Sequence, residues 1–292
     1  MAPVRIIPPR SQRSSRPPGL PDFKRPPIDE VVLSIQFGSL TNFRSGHVGV
    51  LWNEFRREYP KMTEQMPLMP AFETFGAPPQ TPFSGIQIES FLAPPMGRFW
   101  FEESNGYELL QIQQDRIIHN WRKRETEQRY PRYEAIRDRF RTEAQRFIKF
   151  VSDEMLGEVK PNQCEVTYIN LIDLPDGMHP HQHVERITTL WSGTQSEKLP
   201  LEFENVSFQT RYILREDDQP SGRVYVMLAP VFHVQDHRPV IRLEITARAK
   251  PKGASIADAF LLLDVERKAV VETFAAVTTP DMHKIWERTD AP

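Results

Sequence analysis

One stretch, residues 107–155, limits the possible folds of this chain more than any other. Residues 107–121 alternate, with apolar side chains at both parities and polar ones between them, which predicts one long central strand covered on each face. Residues 132–155 then carry an apolar stripe at i, i+3, i+4 and i+7 spacing, which predicts the longest helix of the protein. Such a helix needs a sheet on which its stripe can pack.

Length and composition are those of a globular protein. The 292 residues are 39% hydrophobic and 26% charged, which suits one large domain or two ordinary ones. The net charge of −2 predicts no bulk attraction to nucleic acid or to an anionic membrane. The single cysteine, Cys164, rules out an internal disulfide, and no apolar run approaches the roughly 18 residues of a membrane span. We therefore expect a cytoplasmic protein without a membrane partner.

The chain reads as two similar halves behind an N-terminal arm. Residues 1–27 hold eight prolines and six basic residues against one acidic residue, which predicts a disordered arm. Residues 28–158 and residues 159–292 each read as strand, helix, three strands and helix. The predicted fold class is α+β, with two β-α-β-β-β-α halves in a pseudo-two-fold arrangement. Its antiparallel sheet or sheets are curved, and the long helices pack on one face.

Local patterns in three further segments predict a loop, a strand and a short helix. Residues 60–82 contain six prolines and three methionines without periodicity, which predicts an unusually long loop that is functional or mobile. Residues 86–92 alternate like a strand of the first half. Residues 183–192 have the spacing of a short helix that ends at Gly193.

Four segments, taken together, resemble a known family. They are residues 26–37, 110–123, 130–133 and 162–170. Their order is similar to that of an uncharacterised, sporadically distributed bacterial family of about this length, and the likeness covers about residues 26–286. The resemblance implies a bacterial or mobile-element source and an intracellular location, and it suits an accessory or defence-type locus. It carries over no catalytic residue.

Polar side chains on the central strands form the first candidate site. If both faces of these strands were simply packed, so many polar residues would be unusual, and they suit a pocket or a subunit interface. A solvated sheet face is the more common explanation and stays open. The candidate binding residues, including the basic turn that follows the strand, are Gln111, Gln113, Arg116, His119, Trp121, Arg122, Lys123, Tyr168 and Asn170.

A basic patch is the second candidate. Residues 116–149 (Arg116 to Lys149) hold eleven basic side chains against five acidic ones, with His119, Trp121 and Tyr130 interleaved. Such a patch can contact phosphates and stack on bases, which favours nucleic-acid binding. The alternative is a solvated helix face whose arginines pair with acidic neighbours at helical spacing.

A histidine cluster is the third candidate. His179, His181 and His183 occupy alternate positions, so in extended backbone their imidazoles point the same way and can bind zinc or another divalent metal. His233 and His237 belong to a later hairpin that can complete the site. Closely spaced histidines without cysteines are also common as unligated loop residues, so this alternative stays open.

The common catalytic motifs are missing from the sequence. It has no phosphate-binding glycine loop, no nucleophile elbow and no H-E-x-x-H zinc motif. We therefore assign no catalytic residue and no cofactor, and we favour a binding or regulatory protein that acts through a protein partner or self-association. The first alternative is nucleic-acid binding through the basic patch. The second is a metal-dependent hydrolase that uses the three histidines.

Overall fold

A computed structural model describes residues 19–76, 96–125, 128–193 and 200–289. Its strands are β1 (Ile28–Phe37), β2 (Lys61–Gln65), β3 (Arg98–Glu102), β4 (Glu108–Gln113), β5 (Arg116–Arg122), β6 (Pro161–Ile172), β7 (Phe208–Glu216), β8 (Gln219–Phe232) and β9 (Pro239–Ala249). Its α-helices are α1 (Ser45–Phe55), α2 (Tyr133–Asp153), α3 (Ile256–Val277) and α4 (Pro280–Ile285). The fold class is α+β, as predicted.

All nine strands join one antiparallel sheet in the order β2-β3-β4-β5-β1-β6-β9-β8-β7. The central strands β1 and β6 pair with each other. Outside β1 lie β5, β4, β3 and the edge strand β2, and outside β6 lie β9, β8 and β7. Short hairpin connections join β3 to β4, β4 to β5, β7 to β8 and β8 to β9, which accounts for this order. The internal repeat and the division of the chain into two halves stay predictions.

One face of the sheet is apolar and carries the long helices. Val31, Leu33 and Ile35 of β1 alternate onto this face, and each is fully buried. The stripe of α2 packs there, with the Phe37 and Phe147 rings 5.8 Å apart. Helix α3 packs on the same face beside α2, where Cys164 Sγ of β6 lies 3.8 Å from a carbonyl oxygen of α3. We call this side the helix face.

The opposite side carries the alternate residues of the same strands, and we call it the polar face. On β1 these residues include Ser34 and Gln36, whose strand partners on β6 are Glu165 and Gln163. On β4 and β5, Gln113 pairs with Arg116 at the end of the hairpin. The other polar-face residues used below are Glu30, Arg98, Gln111, Asn120, Arg122, Arg223, Tyr225 and Arg248.

The prediction of one long strand over residues 107–121 is wrong, because that stretch is the β4–β5 hairpin. The chain turns at Gln114 and Asp115, whose carbonyl oxygens accept hydrogen bonds from Leu40 N–H, in the loop after β1, and from Phe37 N–H, at the end of β1. The turn shifts the parity, so Ile112 before it and Ile117 after it both face the helices. Apolar residues at both parities therefore reflect the turn and not a strand with two covered faces.

The prediction of a helix over residues 183–192 is also wrong. Only Val184–Arg186 form a 3-10 turn. Thr188 then bridges to Thr278, and the Thr188 hydroxyl donates to the Val277 carbonyl at 2.7 Å. Backbone groups that a helix would use internally bond instead to Val277 at the end of α3 and to Thr279 just before α4. Adjacent β-branched threonines favour this extended alternative.

The predicted arm and loop are more ordered than expected in the residues that the structure describes. Residues 19–27 belong to the fold, because Phe23 bridges to Arg288 and its ring packs 5.4 Å from that of Phe274. The first part of the predicted loop is β2, which pairs with β3. Residues 1–18 and the predicted strand at 86–92 lie outside the described residues.

Candidate functional site

Residues 66–76 cross the polar face as an extended segment, which we call the strap. The strap follows β2 and passes over β4, β5 and β1 towards β8, without joining the strand ladder. Pro67 and Pro70 favour extended backbone for the residues that precede them. Where the main chain of the strap faces the sheet, its hydrogen bonds are made with side chains of the sheet.

Two glutamines hold the strap by its main chain. Gln113 donates to the Leu68 carbonyl at 2.9 Å, and its amide oxygen accepts from the Leu68 N–H at 2.8 Å. Gln36 does the same for Ala71, at 3.3 and 2.9 Å. Each carboxamide thus satisfies both peptide groups of one strap residue, which requires no particular side chain on the strap. Between them, Arg116 donates to a third strap carbonyl at 3.0 Å.

One strap side chain is also recognised. The Glu73 carboxylate, 3% exposed, accepts from Tyr225 Oη at 2.8 Å and binds Arg223 in a charge-assisted contact. Arg248 lies 3.4 Å from the same carboxylate. Burial and the Glu73 charge raise the pKa of Tyr225, which keeps its phenol protonated as a donor. Arg223 also donates to the Thr74 carbonyl at 2.6 Å, which completes a pocket for an acidic residue.

A line of side-chain hydrogen bonds stiffens the face beside the strap. Arg98 Nη1 donates to the Gln111 amide oxygen at 2.5 Å, and Gln111 donates to Asn120 at 2.6 Å. Asn120 in turn donates to the Glu30 carboxylate at 2.6 Å. Burial raises the pKa of Glu30, although the Asn120 hydrogen bond opposes the rise. The line links β3, β4, β5 and β1 and leaves these polar groups in fixed orientations.

The strap adds almost nothing to the apolar core. None of residues 66–76, all of which the structure describes, is among the buried core residues. Met66, Met69 and Phe72 are instead 83%, 68% and 57% exposed. Polar contacts, and not the burial of apolar surface, hold the strap in place.

The predicted binding residues divide between the two faces. Gln113 and Arg116 contact the strap, and Gln111 belongs to the line beside it. Arg122 lies on the polar face too, but its guanidinium pairs with Glu102 at 2.7 Å. Lys123 follows β5, and its backbone N–H donates to the Asp29 carbonyl at 2.6 Å. Strand alternation places the others on the helix face: His119, Trp121, Tyr168 and Asn170.

His119 lies in a buried charged cluster beneath α2. Its Nδ1 is 2.7 Å from a Glu143 oxygen and its Nε2 is 2.9 Å from a Glu108 oxygen. Burial lowers the pKa of His119, but the two carboxylates outweigh burial and raise it to about 9. Tyr59 donates to Glu143, and Arg139 adds a positive charge 3.4 Å from Glu108. The cluster ties the helix to the sheet with its charges balanced.

The remaining helix-face candidates are enclosed structural residues. Asn170 is 1% exposed and donates to the Leu243 carbonyl at 3.1 Å. The Tyr168 hydroxyl lies 3.0 Å from that of Tyr130, whose ring is 5.4 Å from Trp121. Both tyrosine hydroxyls and the Asn170 amide nitrogen thus have partners within the chain.

The basic patch is not one surface in this structure. Arg116 and Arg122 belong to the sheet, whereas α2 packs on its other side. Seven of the eleven basic residues form ion pairs: Arg116, Arg122, Arg132, Arg137, Arg139, Arg146 and Lys149. Nucleic-acid binding through this patch therefore remains a prediction without geometric support.

The three histidines do not form a metal centre in the described part of the chain. There, no group of three or more His, Cys, Asp or Glu side chains has an arrangement that could hold a metal ion. His181 Nε2 lies 3.0 and 3.1 Å from the carbonyls of Val231 and Val240, so that nitrogen carries a proton and cannot be a ligand. The His179 ring packs against His181, and His183 lies 3.5 Å from Glu185.

Sequence reasoning missed Gln36, Glu73, Arg223 and Arg248. The length and proline content of residues 60–82 were the available signal for the strap. Gln36 was visible as a polar residue between Ile35 and Phe37, but strand alternation makes such a residue ordinary.

Comparison with known proteins adds no identity. No protein-family model matches the chain. A search of curated proteins also finds no match. The resemblance to a sporadically distributed bacterial family thus stays a prediction. None of the described helices is long and apolar enough to cross a membrane.

Proposed function

We propose that this protein is a cytoplasmic binding module that holds an extended polypeptide on the polar face of its sheet. The strap is the internal occupant, and a segment of a protein partner or of a second copy takes the same place. The observation that carries this proposal is the pair of glutamines, each of which grips both peptide groups of one strap residue. A bacterial accessory or defence-type setting would suit such a module.

The contacts specify what the face would select. Main-chain recognition by Gln36 and Gln113 tolerates many side chains, but it excludes proline at the gripped positions because the N–H is needed. The pocket around Glu73 supplies selectivity, because its arginine and tyrosine side chains make charge-assisted hydrogen bonds to a carboxylate. The preferred ligand is thus an extended acidic segment, a recognition mode in which backbone contacts give affinity and pockets give specificity.

Weak attachment of the strap supports exchange. The strap buries no core apolar side chain, so its attachment to the sheet depends on hydrogen bonds. Each contributes about 0.5–1.5 kcal/mol, or about 1.5–3 kcal/mol when one partner is charged. Its advantage over a partner is its tether, which gives an effective concentration on the order of millimolar. A partner segment that also buries apolar surface can therefore compete.

A peptide added in trans tests the proposal. Fluorescence anisotropy would follow a labelled peptide with the sequence of residues 64–76 as it binds the full chain. In the Glu73→Ala protein the internal strap loses the contacts that its glutamate makes in the pocket. The peptide keeps its own glutamate, so it should bind this variant at least about tenfold more tightly than it binds the wild-type protein. A full chain that carries both Gln36→Ala and Gln113→Ala should not bind the labelled peptide.

Glu216→Ala provides a matched control for the loss of one negative charge. Glu216 is in β7, and its carboxylate, 50% exposed, pairs with Lys252 at 2.5 Å, away from the strap. This variant should bind the peptide as wild type does. If Glu73→Ala binds the peptide no better than the control does, the strap is a fixed part of the fold and the proposal fails.

The internal repeat also belongs among our proposals. The matching order of neighbours outside β1 and outside β6 supports a pseudo-two-fold relation between the halves. In the described residues the relation is imperfect, because the second half has no α-helix between β6 and β7 to match α1 and no strand to match β2.

A further inference from the structure

A cavity of about 330 Å³ lies between the strap and the sheet. Three amide side chains line it, those of Gln36, Gln111 and Gln163, and each of these residues is 5% exposed. Met69 of the strap closes part of the opposite side. The volume is at the lower end of the range for small-molecule pockets, roughly 300–1,000 Å³.

One polar atom in this wall has no partner. Gln163 lies on β6 and is 5% exposed, and its Oε1 has no hydrogen-bond partner in the described part of the chain. Leaving a buried acceptor unsatisfied costs about 1–3 kcal/mol. Native proteins rarely keep such an atom without a donor from a ligand or water. The wall of the cavity therefore presents an acceptor suited to a hydroxyl or ammonium group.

A guanidinium in the same wall lacks a counter-charge. Arg98 donates to the Gln111 amide oxygen at 2.5 Å and to the Met66 carbonyl at 3.3 Å, so its acceptors in the described residues are both neutral. Burial and the nearby charge of Arg116 lower the pKa of Arg98. Arg116 is already paired with Asp115 at 3.0 Å. Glu165 and Arg248 also line the cavity and form an ion pair with each other, so the unpaired positive charge at this wall belongs to Arg98.

We propose that the cavity binds a small organic anion beneath the strap. Arg98, with Arg116 beside it, holds the carboxylate or phosphate group, and Gln163 Oε1 accepts a hydrogen bond from a hydroxyl or ammonium group of the same molecule. A planar guanidinium suits both kinds of anion. This site is separate from the peptide-binding proposal, because the ligand fills the space between the strap and the sheet and does not replace the strap.

Thermal unfolding of the untagged full chain tests the inference. The probes are glycerol 3-phosphate, malate and inorganic phosphate at about 20 mM, a concentration suited to millimolar affinity, each compared with sodium chloride at equal ionic strength. We expect glycerol 3-phosphate or malate to raise the unfolding temperature. A rise with only one of them identifies the anionic group as phosphate or carboxylate.

Two variants assign the effect to this cavity. Arg98→Gln should weaken binding of every active probe at least about tenfold, the change expected when a charge-assisted hydrogen bond is lost. Gln163→Leu should weaken the hydroxylated probes severalfold and leave inorganic phosphate unchanged. Arg211→Gln is the control, because Arg211 lies on β7 and packs 5.7 Å over the Tyr225 ring, outside the cavity.

Two results would overturn the inference: no probe stabilising the protein more than sodium chloride does, or stabilisation that survives in both Arg98→Gln and Gln163→Leu. Titration of the labelled peptide into the same samples keeps the two proposals apart. Peptide exchange without anion binding contradicts only the cavity site. Anion binding without peptide exchange contradicts only the peptide-binding proposal.

Discussion

At the scale of single residues, His119 illustrates how a charge can be kept inside this protein. A buried imidazolium is costly unless opposite charges and hydrogen bonds compensate it. Here Glu143 and Glu108 lie on its two nitrogens, and Arg139 balances the second carboxylate. The cluster is 0% exposed at His119 and joins α2 to β4 and β5. Its role is therefore to fix the position of α2 and not to bind a ligand.

The His119 cluster predicts a pH dependence of stability. The pKa of His119 rises from the usual value of about 6.5 to about 9 on folding, so between these pH values the folded chain binds a proton that the unfolded chain releases. The contribution of His119 to the free energy of unfolding is therefore fully present below about pH 6.5. It is lost as pH rises through 9, by about 3 kcal/mol in total. Urea unfolding at pH 6.5 and pH 9.5 should show this loss in wild type and a much smaller one in His119→Gln. Equal losses in the two proteins would contradict the assignment.

Polar residues of one hairpin lie on opposite faces of the sheet. Gln113 hydrogen-bonds the main chain of the strap, whereas His119 is buried beneath α2. The sequence identifies both as unusual polar residues of central strands, but only the position of the turn decides which face each one occupies. The candidate residues could be named from the sequence, and their division between two faces could not.

At the scale of elements, α3 contains a weak point at Glu266. This residue is 0% exposed, and neither carboxylate oxygen has a hydrogen-bond partner in the described residues. Burial and the nearby Glu165 charge raise its pKa well above the usual value, more than the Ala249 backbone and Arg248 lower it. Folding therefore favours the protonated form of this carboxyl, and stability falls as pH rises through the range in which an ordinary glutamate ionises.

Glu266→Gln should accordingly stabilise the protein. The substitution keeps the shape and removes the cost of protonating a carboxyl at neutral pH, so we expect a gain of at least about 1 kcal/mol at pH 7. The gain should be smaller near pH 4.5, where the unfolded glutamate is itself about half protonated. Chemical unfolding at the two pH values measures this difference. A variant less stable than wild type at pH 7 would show that the carboxyl is ionised and satisfied.

The sequence predicts elements that have long periodic apolar stripes. It does not predict elements whose conformation depends on contacts with distant parts of the chain. The long helix was predicted at residues 132–155 and is α2, because its stripe sustains the helical period over several turns. The predicted helix at 183–192 is wrong because its backbone bonds to the end of α3 and to Thr279 beyond it, nearly ninety residues away. The β4–β5 turn, made by Gln114 and Asp115, contains neither glycine nor proline, so the usual punctuation of a hairpin was missing.

At the scale of the whole molecule, the candidate site depends on pairings across the entire sheet. Gln36 and Ala71 are 35 positions apart, and Glu73 and Arg223 are 150 apart. No local pattern encodes such contacts, because they arise only once nine strands are in order and the helices have covered one face. The sequence indicated an α+β chain with a long, proline-rich segment. The contacts of that segment with the sheet required the three-dimensional structure.

Amide hydrogen exchange in the strap tests the central claim most directly. In ¹⁵N-labelled wild-type protein, the N–H groups of Leu68 and Ala71 should be protected, because Gln113 and Gln36 accept their hydrogen bonds. Excess unlabelled peptide with the sequence of residues 64–76 should remove this protection and leave Val31 and Leu33 in β1 unchanged. If both strap amides stay protected while the peptide is bound, the strap does not exchange and the polar face is not a polypeptide-binding site.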